Sequence, residues 1–292
     1  MPKVNFTLNG SSVTTTCEAG MHVLEVLRDQ CGIKSPKDGC APQGYCGCCT
    51  ILVDGRPALA CLRRAEQLEG RDIVTLEGLP RQQRQALARA FVQEGAIQCG
   101  YCIPGIVTRA ASLLSSGRAR NRKAVAKALS GHLCRCTGYQ RILDAIQTAG
   151  EIWDNGGDLA RSEPRRSQFF GEDFGLGRKA ALHGGLHCDG VGASSPKYRG
   201  LEHALGEKDY VGDLAAAGML HGAVVLSEHP RAKVVDIGAA AIITMPGVQR
   251  VFTAEDVVGD RYTGLIVKDW PVFVAAGETT RCVGDVIALV VA

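Results

Sequence analysis

A multidomain α+β chain is predicted, on three observations. The hydrophobic period changes from two to helical near residue 78, the cysteines fall in two groups on either side of that change, and an aperiodic Gly- and Arg-rich stretch separates both from a run of short Val/Ile-rich segments. At the start, Val4, Phe6 and Leu8 alternate with polar residues, Asn9-Gly10 is the favoured two-residue hairpin turn, and "SSVTTTC" is β-prone. "MHVLEVLRDQCG" places Val23, Leu24 and Leu27 at helical spacing with Gly32 where the helix would stop, and a Gly- and Cys-rich loop then leads into the strand "TILVDG". Residues 1–77 thus read as a small α+β domain.

From 78 to 153 four short helices are predicted, and four short helices imply a compact bundle. Their stripes are Leu87, Ala90 and Phe91; Ile106, Ala110, Leu113 and Leu114, with Pro104 near the start and Gly117 past the end; Ala124, Val125, Ala128 and Leu129; and Ile142, Ala145, Ile146 and Ala149. Residues 154–208 read as a connector that wraps a neighbour, and 209–292 as a third, mixed α/β domain built on "HGAVVLS", "KVVDIG", "VQRVFT" and "VGDVIALVVA". The last of these ends on apolar strand without cap or polar tail, so the third domain reads as incomplete.

Composition narrows the function classes. The 292 residues are 46% hydrophobic and 22% charged with a net charge of +3, ordinary for a globular protein and too little charge for nucleic-acid binding. The basic stretch from Arg118 to Arg135 reads as a solvated face. No apolar run reaches the roughly 18 residues of a membrane span, and "MPKVNFTLNG" lacks the regions of a signal peptide, so no membrane and a cytoplasmic location are expected. Thirteen cysteines in such a chain point to metal, because a reducing compartment disfavours disulfides.

Spacing selects among metals. Cys-x2-Cys occurs at Cys46/Cys49 and Cys99/Cys102, but structural zinc pairs are typically separated by about 15–20 residues, far less than the interval here. Cys40-x5-Cys46-x2-Cys49-x11-Cys61 instead follows the plant-type 2Fe-2S pattern with one extra residue in the first interval. Such a cluster needs backbone N–H groups near its sulfurs, and Gly39, Gly44 and Gly47 let the chain come close. Cys48 reads as a spectator, since ligating it in place of Cys49 would shorten the second interval. Cys99/Cys102 and Cys134/Cys136 each precede a predicted helix, where free N–H groups favour thiolate, so two facing helix starts would grip a second cluster. Arg122 and Lys123 open the third helix against its dipole, at a cost of about 0.3–1 kcal/mol, which predicts an anionic neighbour. Cys17 and Cys31 are expected to be buried fillers, and Cys188, with His183 and His187, part of a polar loop.

The motifs "KDGCAPQGYCGCCTILVDG", "GAIQCGYCIPGIV" and "LSGHLCRCTGYQRI", in that order, resemble the molybdenum hydroxylases, the family of xanthine dehydrogenase and aldehyde oxidoreductase. The xanthine dehydrogenase type is the nearer in "SSPKYRGLEHALGEKDYVGDL" and "SEHPRA". The resemblance implies a β-grasp 2Fe-2S ferredoxin domain, a four-helix 2Fe-2S domain, and the start of an a/b hammerhead-like domain. It implies that Cys40, Cys46, Cys49 and Cys61 hold the outer cluster and Cys99, Cys102, Cys134 and Cys136 the inner one, with Gln98 and Cys136 nearest a molybdopterin, as the cytosine dinucleotide or a related form, bound mostly outside this chain. The complete enzyme would hydroxylate a purine, another N-heterocycle or an aldehyde. It would be a dimer, with a molybdenum-binding domain or subunit as partner and a flavin subunit or soluble carrier as acceptor. No catalytic residue is expected in this chain. The extra residue before Cys46, the presence of Cys48, His132 where Asn is usual, and the lack of a flavin-binding segment depart from the family pattern. The rival readings are a stand-alone 2Fe-2S carrier, which would have no use for a partial third domain, and a structural zinc protein.

Overall fold

The structure, a computed structural model, describes residues 2–156 and 196–292. Cys188, His183, His187 and most of the expected 154–208 connector lie outside the described residues. By internal contacts the chain forms two units, one ending at Leu214 and one running from Ala215 to Ala292, so the division falls past the boundary at 209 read from sequence.

The first unit opens with strands β1 (Lys3–Leu8) and β2 (Ser11–Thr16), paired antiparallel with Leu8 opposite Ser11. Asn9 (φ 52°) and Gly10 (φ 83°) both take positive φ, the conformation whose twist matches the flanking strands. β3 (Thr50–Val53) and β4 (Arg56–Leu59) form a second antiparallel hairpin, and β5 (Asp72–Val74) lies between β1 and β3, parallel to the first and antiparallel to the second. The resulting sheet order is β2-β1-β5-β3-β4. The expected first helix is α-helical only over α1 (Val23–Glu25) and widens into a π-type turn over Val26–Gln30, with Gly32 at φ 67° after it. Val23, Leu24, Val26 and Leu27 bury against Phe6, Ile51 and Ile73, each such side chain stabilising the domain by about 1.5–3 kcal/mol on leaving water.

Four helices follow: α2 (Arg81–Gln93), α3 (Ile103–Ser115), α4 (Arg122–Ala128) and α5 (Tyr139–Asp154). α3 is the central one, burying Ile103, Ile106, Val107, Ala110, Leu113 and Leu114, whereas α4 fully buries only Val125. The Asn121 side chain caps α4 by accepting from the Ala124 N–H at 3.0 Å. The anionic neighbour expected beside Arg122 is internal: its guanidinium donates to Asp144 at 2.5 Å and to Gln147 and Gln140, which pins α4 onto α5. The hydrophobic cores of sheet and helices meet, since Cys46, Cys48 and Leu52 pack into the helical core beside Leu76 and Leu79.

Beyond the undescribed stretch, α6 (Gly200–Leu205) and a 3₁₀ turn (Val211–Asp213) still belong to the first unit. The second unit holds a short helix, α7 (Ala239–Ile242), and a three-stranded antiparallel sheet in which β10 (Val286–Val291) lies between β6 (Gly222–Leu226) and β7 (Arg250–Phe252). β8 (Tyr262–Thr263) and β9 (Trp270–Pro271) pair separately. "KVVDIG" is not a strand; it contributes one isolated bridge, Lys233 to Thr279.

Candidate metal centres

The first cysteine group lies on the loop between α1 and β3, closed by Cys61 after β4. Cys46, Cys49 and Cys61 are buried and Cys40 is half-buried. Gly44 (φ 75°) and Gly47 (φ 71°) turn the loop back on itself, and a Cβ on Gly39 would stand 3.0 Å from the Cys46 sulfur and 3.1 Å from that of Cys48. Within the first interval Ala41 takes φ 53°, and its amide donates to Asp38 at 2.8 Å. Within the group the Cys40 thiol hydrogen-bonds with that of Cys46 and the Cys49 thiol with that of Cys61, and the charge of Cys46 adds to the rise at Cys49. Burial pushes the Cys49 thiol up to about 12. At Cys40 burial is outweighed by N–H donation from Tyr45, Cys46 and Gln43, which holds the thiol at about 7; the Gln43 amide lies 3.4 Å from its sulfur.

The second group joins two helix starts. Cys102 is the residue preceding α3, and Cys134 and Cys136 lie just before α5, whose Gly138 amide donates to the Cys134 sulfur at 3.3 Å. The Cys102 thiol hydrogen-bonds with that of Cys134, and the Cys99 thiol with that of Cys136. Burial raises the Cys102 thiol, and hydrogen bonding from the Cys99 amide lowers that of Cys136. Gly100 (φ 86°) and Thr137 (φ 57°) supply the left-handed bends. Cys99 and Gln98 are exposed, Cys136 is half-buried, and the Gln98 amide nitrogen stands 3.7 Å from where a Cβ on Gly138 would lie. The inner pair, Cys102 and Cys134, is buried.

The two groups touch through backbone. The Leu133 amide donates to the Cys46 carbonyl at 2.9 Å. His132, buried at 7% exposure, lies against Gly47, where a Cβ would come within 2.6 Å of its ring, and its Nε2 stands 3.1 Å from the Thr50 hydroxyl oxygen. Burial holds the His132 imidazolium down to about 4, so the ring is neutral. Tyr139 ties the same loop, accepting from the Cys134 amide and donating to the His132 carbonyl, both at 2.9 Å. Cys48 is buried between the groups: burial, then the charge of Cys46, raises its thiol, and Cys102 adds to this. Thr50, Tyr139 and the residues of α6 and the turn after it carry no chemical signature, and local sequence patterns do not flag them.

This arrangement suits a sulfur-bridged diiron core. Among the described residues no three His, Cys, Asp or Glu side chains converge on one ion; instead thiols spread over two loops, with glycines where sulfur comes close and amides aimed at sulfur. Every cysteine among the described residues is a free thiol. No described helix is long and apolar enough to cross a membrane.

Fold and cysteines together define an iron-sulfur protein with two 2Fe-2S-binding domains. Residues 6–76 match the 2Fe-2S iron-sulfur cluster binding domain, 75–147 the [2Fe-2S] binding domain, and 205–292 the a/b hammerhead domain of aldehyde oxidase and xanthine dehydrogenase. The chain is 38% identical to the nicotinate dehydrogenase small FeS subunit of Eubacterium barkeri over 51% of this chain and 94% of that subunit. To the aldehyde oxidoreductase of Megalodesulfovibrio gigas it is 31% identical over 98% of this chain and 31% of the relative. The solved aldehyde oxidoreductase from Desulfovibrio gigas superposes with a TM-score of 0.80 at 31% identity, covering 100% of this chain and 32% of that one. The chain belongs to the molybdenum hydroxylase family and is an iron-sulfur oxidoreductase component of it. It spans about a third of the length of the aldehyde oxidoreductases it matches.

Proposed function

We propose that the chain is the electron-transfer part of a molybdenum hydroxylase of the xanthine dehydrogenase type, linking a molybdopterin centre to an external acceptor. In this reading 1–77 is a β-grasp domain whose Cys40, Cys46, Cys49 and Cys61 hold one 2Fe-2S cluster, and 78–153 a four-helix domain whose Cys99, Cys102, Cys134 and Cys136 hold the other. When bound, each cluster supplies a site that takes up and gives back one electron. The protein supplies thiolates, amides directed at sulfur, and an apolar wall. Because burial raises the thiols of Cys49 and Cys102, they give up their protons only on binding metal, so loading releases protons.

The observation that carries the reading is the Leu133–Cys46 hydrogen bond: from the sulfur of Cys46 to that of Cys134 the path is covalent apart from that one contact at 2.9 Å. The exposure of Gln98 beside Cys136 supports a pterin, as the cytosine dinucleotide or a related form, approaching this edge and lying mostly outside the chain. The substrate, a purine, another N-heterocycle or an aldehyde, belongs to a molybdenum-binding domain or subunit, and the match of 205–292 to the a/b hammerhead domain supports that partner. Electrons leave to a flavin subunit or soluble carrier, and the complete enzyme is a dimer. The expected location is cytoplasmic.

Paramagnetic resonance of the dithionite-reduced protein tests this. The expected result is two distinct 2Fe-2S signals from about four iron atoms per chain, with Cys136→Ser altering one signal and sparing the other. A single signal, or zinc without acid-labile sulfide, overturns it.

A further inference from the structure

When the described chain resumes at residue 196 it crosses the iron-sulfur part over a closely fitted face. α6 lies on α2 with small residues at the contact. A Cβ on Gly200 would come 3.0 Å from Val92, one on Gly206 (φ 72°) 2.9 Å from the Ser35 Cβ, and Ala204 is fully buried. Beyond α6 the contacts become polar and acidic on basic. Asp213, its side chain 2% exposed, is gripped by Arg28 at 2.7 Å and by Lys37 at 2.5 Å, and Lys37 itself is 1% exposed. Lys34 pairs with Asp209 at 3.1 Å. The Tyr210 hydroxyl donates to the Cys99 carbonyl at 2.8 Å, its ring packs edge-on to Tyr101 with centroids 5.1 Å apart, and Lys37 stands 5.1 Å from its centre.

The receiving residues all precede residue 157, and the inserted ones all follow residue 195. Shape and charge are thus complementary across a single boundary: a basic notch of Arg28, Lys34 and Lys37 receives Asp209 and Asp213, and glycines admit the helix. A buried lysine whose counter-charge comes from the far side of that boundary is held only while the segment is seated.

We propose that residues 197–214 are a docking element, a segment that binds the iron-sulfur part non-covalently and fastens to it whatever follows in the chain. The peptide connection through 157–195 then raises the local concentration of the segment but is not what holds it. The element touches both cysteine loops, through Lys37 three residues before Cys40 and through the Cys99 carbonyl, so it docks directly on the loops proposed to hold the clusters. That consequence rests on the electron-transfer reading; the docking does not.

The test is to insert a specific protease site between residues 157 and 195 of the full chain, cut it, and run native gel filtration at micromolar concentration. The two pieces are expected to coelute, and an excess of synthetic peptide 197–214 to release the C-terminal piece. Gly206→Val and Asp213→Ala should each weaken association at least tenfold, the first by shape and the second by charge. Pieces of the wild-type chain that separate on cutting overturn the proposal, as does a peptide that displaces nothing or a pair of variants that associate as tightly as wild type. Iron counted on the uncut chain reports on the cluster assignment alone, so the two readings can fail independently.

Discussion

The Leu133 amide and the Cys46 carbonyl, 2.9 Å apart, join the two cysteine loops directly. Close approach of this kind requires that nothing stand between the backbones. A Cβ on Gly105 would lie 2.5 Å from the Gly47 carbonyl oxygen and 2.9 Å from that of Cys48. Gly105→Ala is therefore expected to push α3 away from the first loop, at a cost of about 1–3 kcal/mol for overpacking. Urea unfolding would measure the loss, and weaker magnetic interaction between the two reduced centres would show that the loops had moved apart.

The Thr50 hydroxyl donates its hydrogen to the Gly47 carbonyl at 2.7 Å, so at its 3.1 Å contact with His132 it accepts, and the ring carries its proton on Nε2. Thr50→Val removes that acceptor and leaves a buried N–H unpaired, a loss of about 1–3 kcal/mol. Nδ1 is without a hydrogen-bond partner among the described residues, so replacing the ring costs nothing on that side. His132→Asn is expected to keep both resonance signals and shift the second one more than the first, because the residue lies two positions before Cys134. Equal shifts in both signals would argue against this local role.

Cys48 sits one position from Cys49, and the proposed cluster assignment gives the two different roles. Its sulfur lies buried between the two loops, where burial, and after it the charge of Cys46, raises its thiol. Cys48→Ala is expected to retain both signals and full iron, at a cost of about 1 kcal/mol for the lost sulfur contacts. Cys49→Ser should abolish or strongly alter the first signal. Iron analysis on the pair separates ligand from neighbour.

What could be read from sequence is what is local in sequence. The hairpin at Asn9-Gly10, the four helices and the grouping of cysteines all rest on spacings within a few turns of chain. The unfavourable Arg122 at a helix start pointed to a missing anion, but only the fold identifies it as Asp144. Long-range pairings stayed hidden: Thr50 with His132, and Lys37 with Asp213, are joined by topology and leave no periodic trace. For the same reason the first unit extends to Leu214, since nothing in "KDYVGDL" announces that its second aspartate, Asp213, is buried against a lysine from the first domain. "KVVDIG" has the composition of a strand, yet its backbone pairing is limited to the Lys233–Thr279 bridge and the Val234 contacts with Gly277 and Glu278.

Asp213 also sets the pH range over which the crossing segment holds. Burial alone would raise its carboxyl, but hydrogen bonds from Lys37, Arg28 and the Tyr210 amide bring it down to about 2, against about 3.8 ordinarily. A carboxylate depressed in the folded state adds stability that is complete above its unfolded value and lost as pH falls through the folded one. The hold on residues 197–214 is therefore expected to be flat from pH 8 to pH 5 and to fail only between about 4 and 2. Asp213→Ala should cost about 3–5 kcal/mol at neutral pH, because it strands Lys37, whose ammonium burial already disfavours. Removing both charges, as Lys37→Met with Asp213→Leu, should recover most of that loss, since a well-packed apolar pair carries no desolvation penalty. Thermal unfolding of the single and double variants decides the matter: a double variant that melts as low as Asp213→Ala would mean that the packing around α6, and not the ion pair, is what the substitution damages.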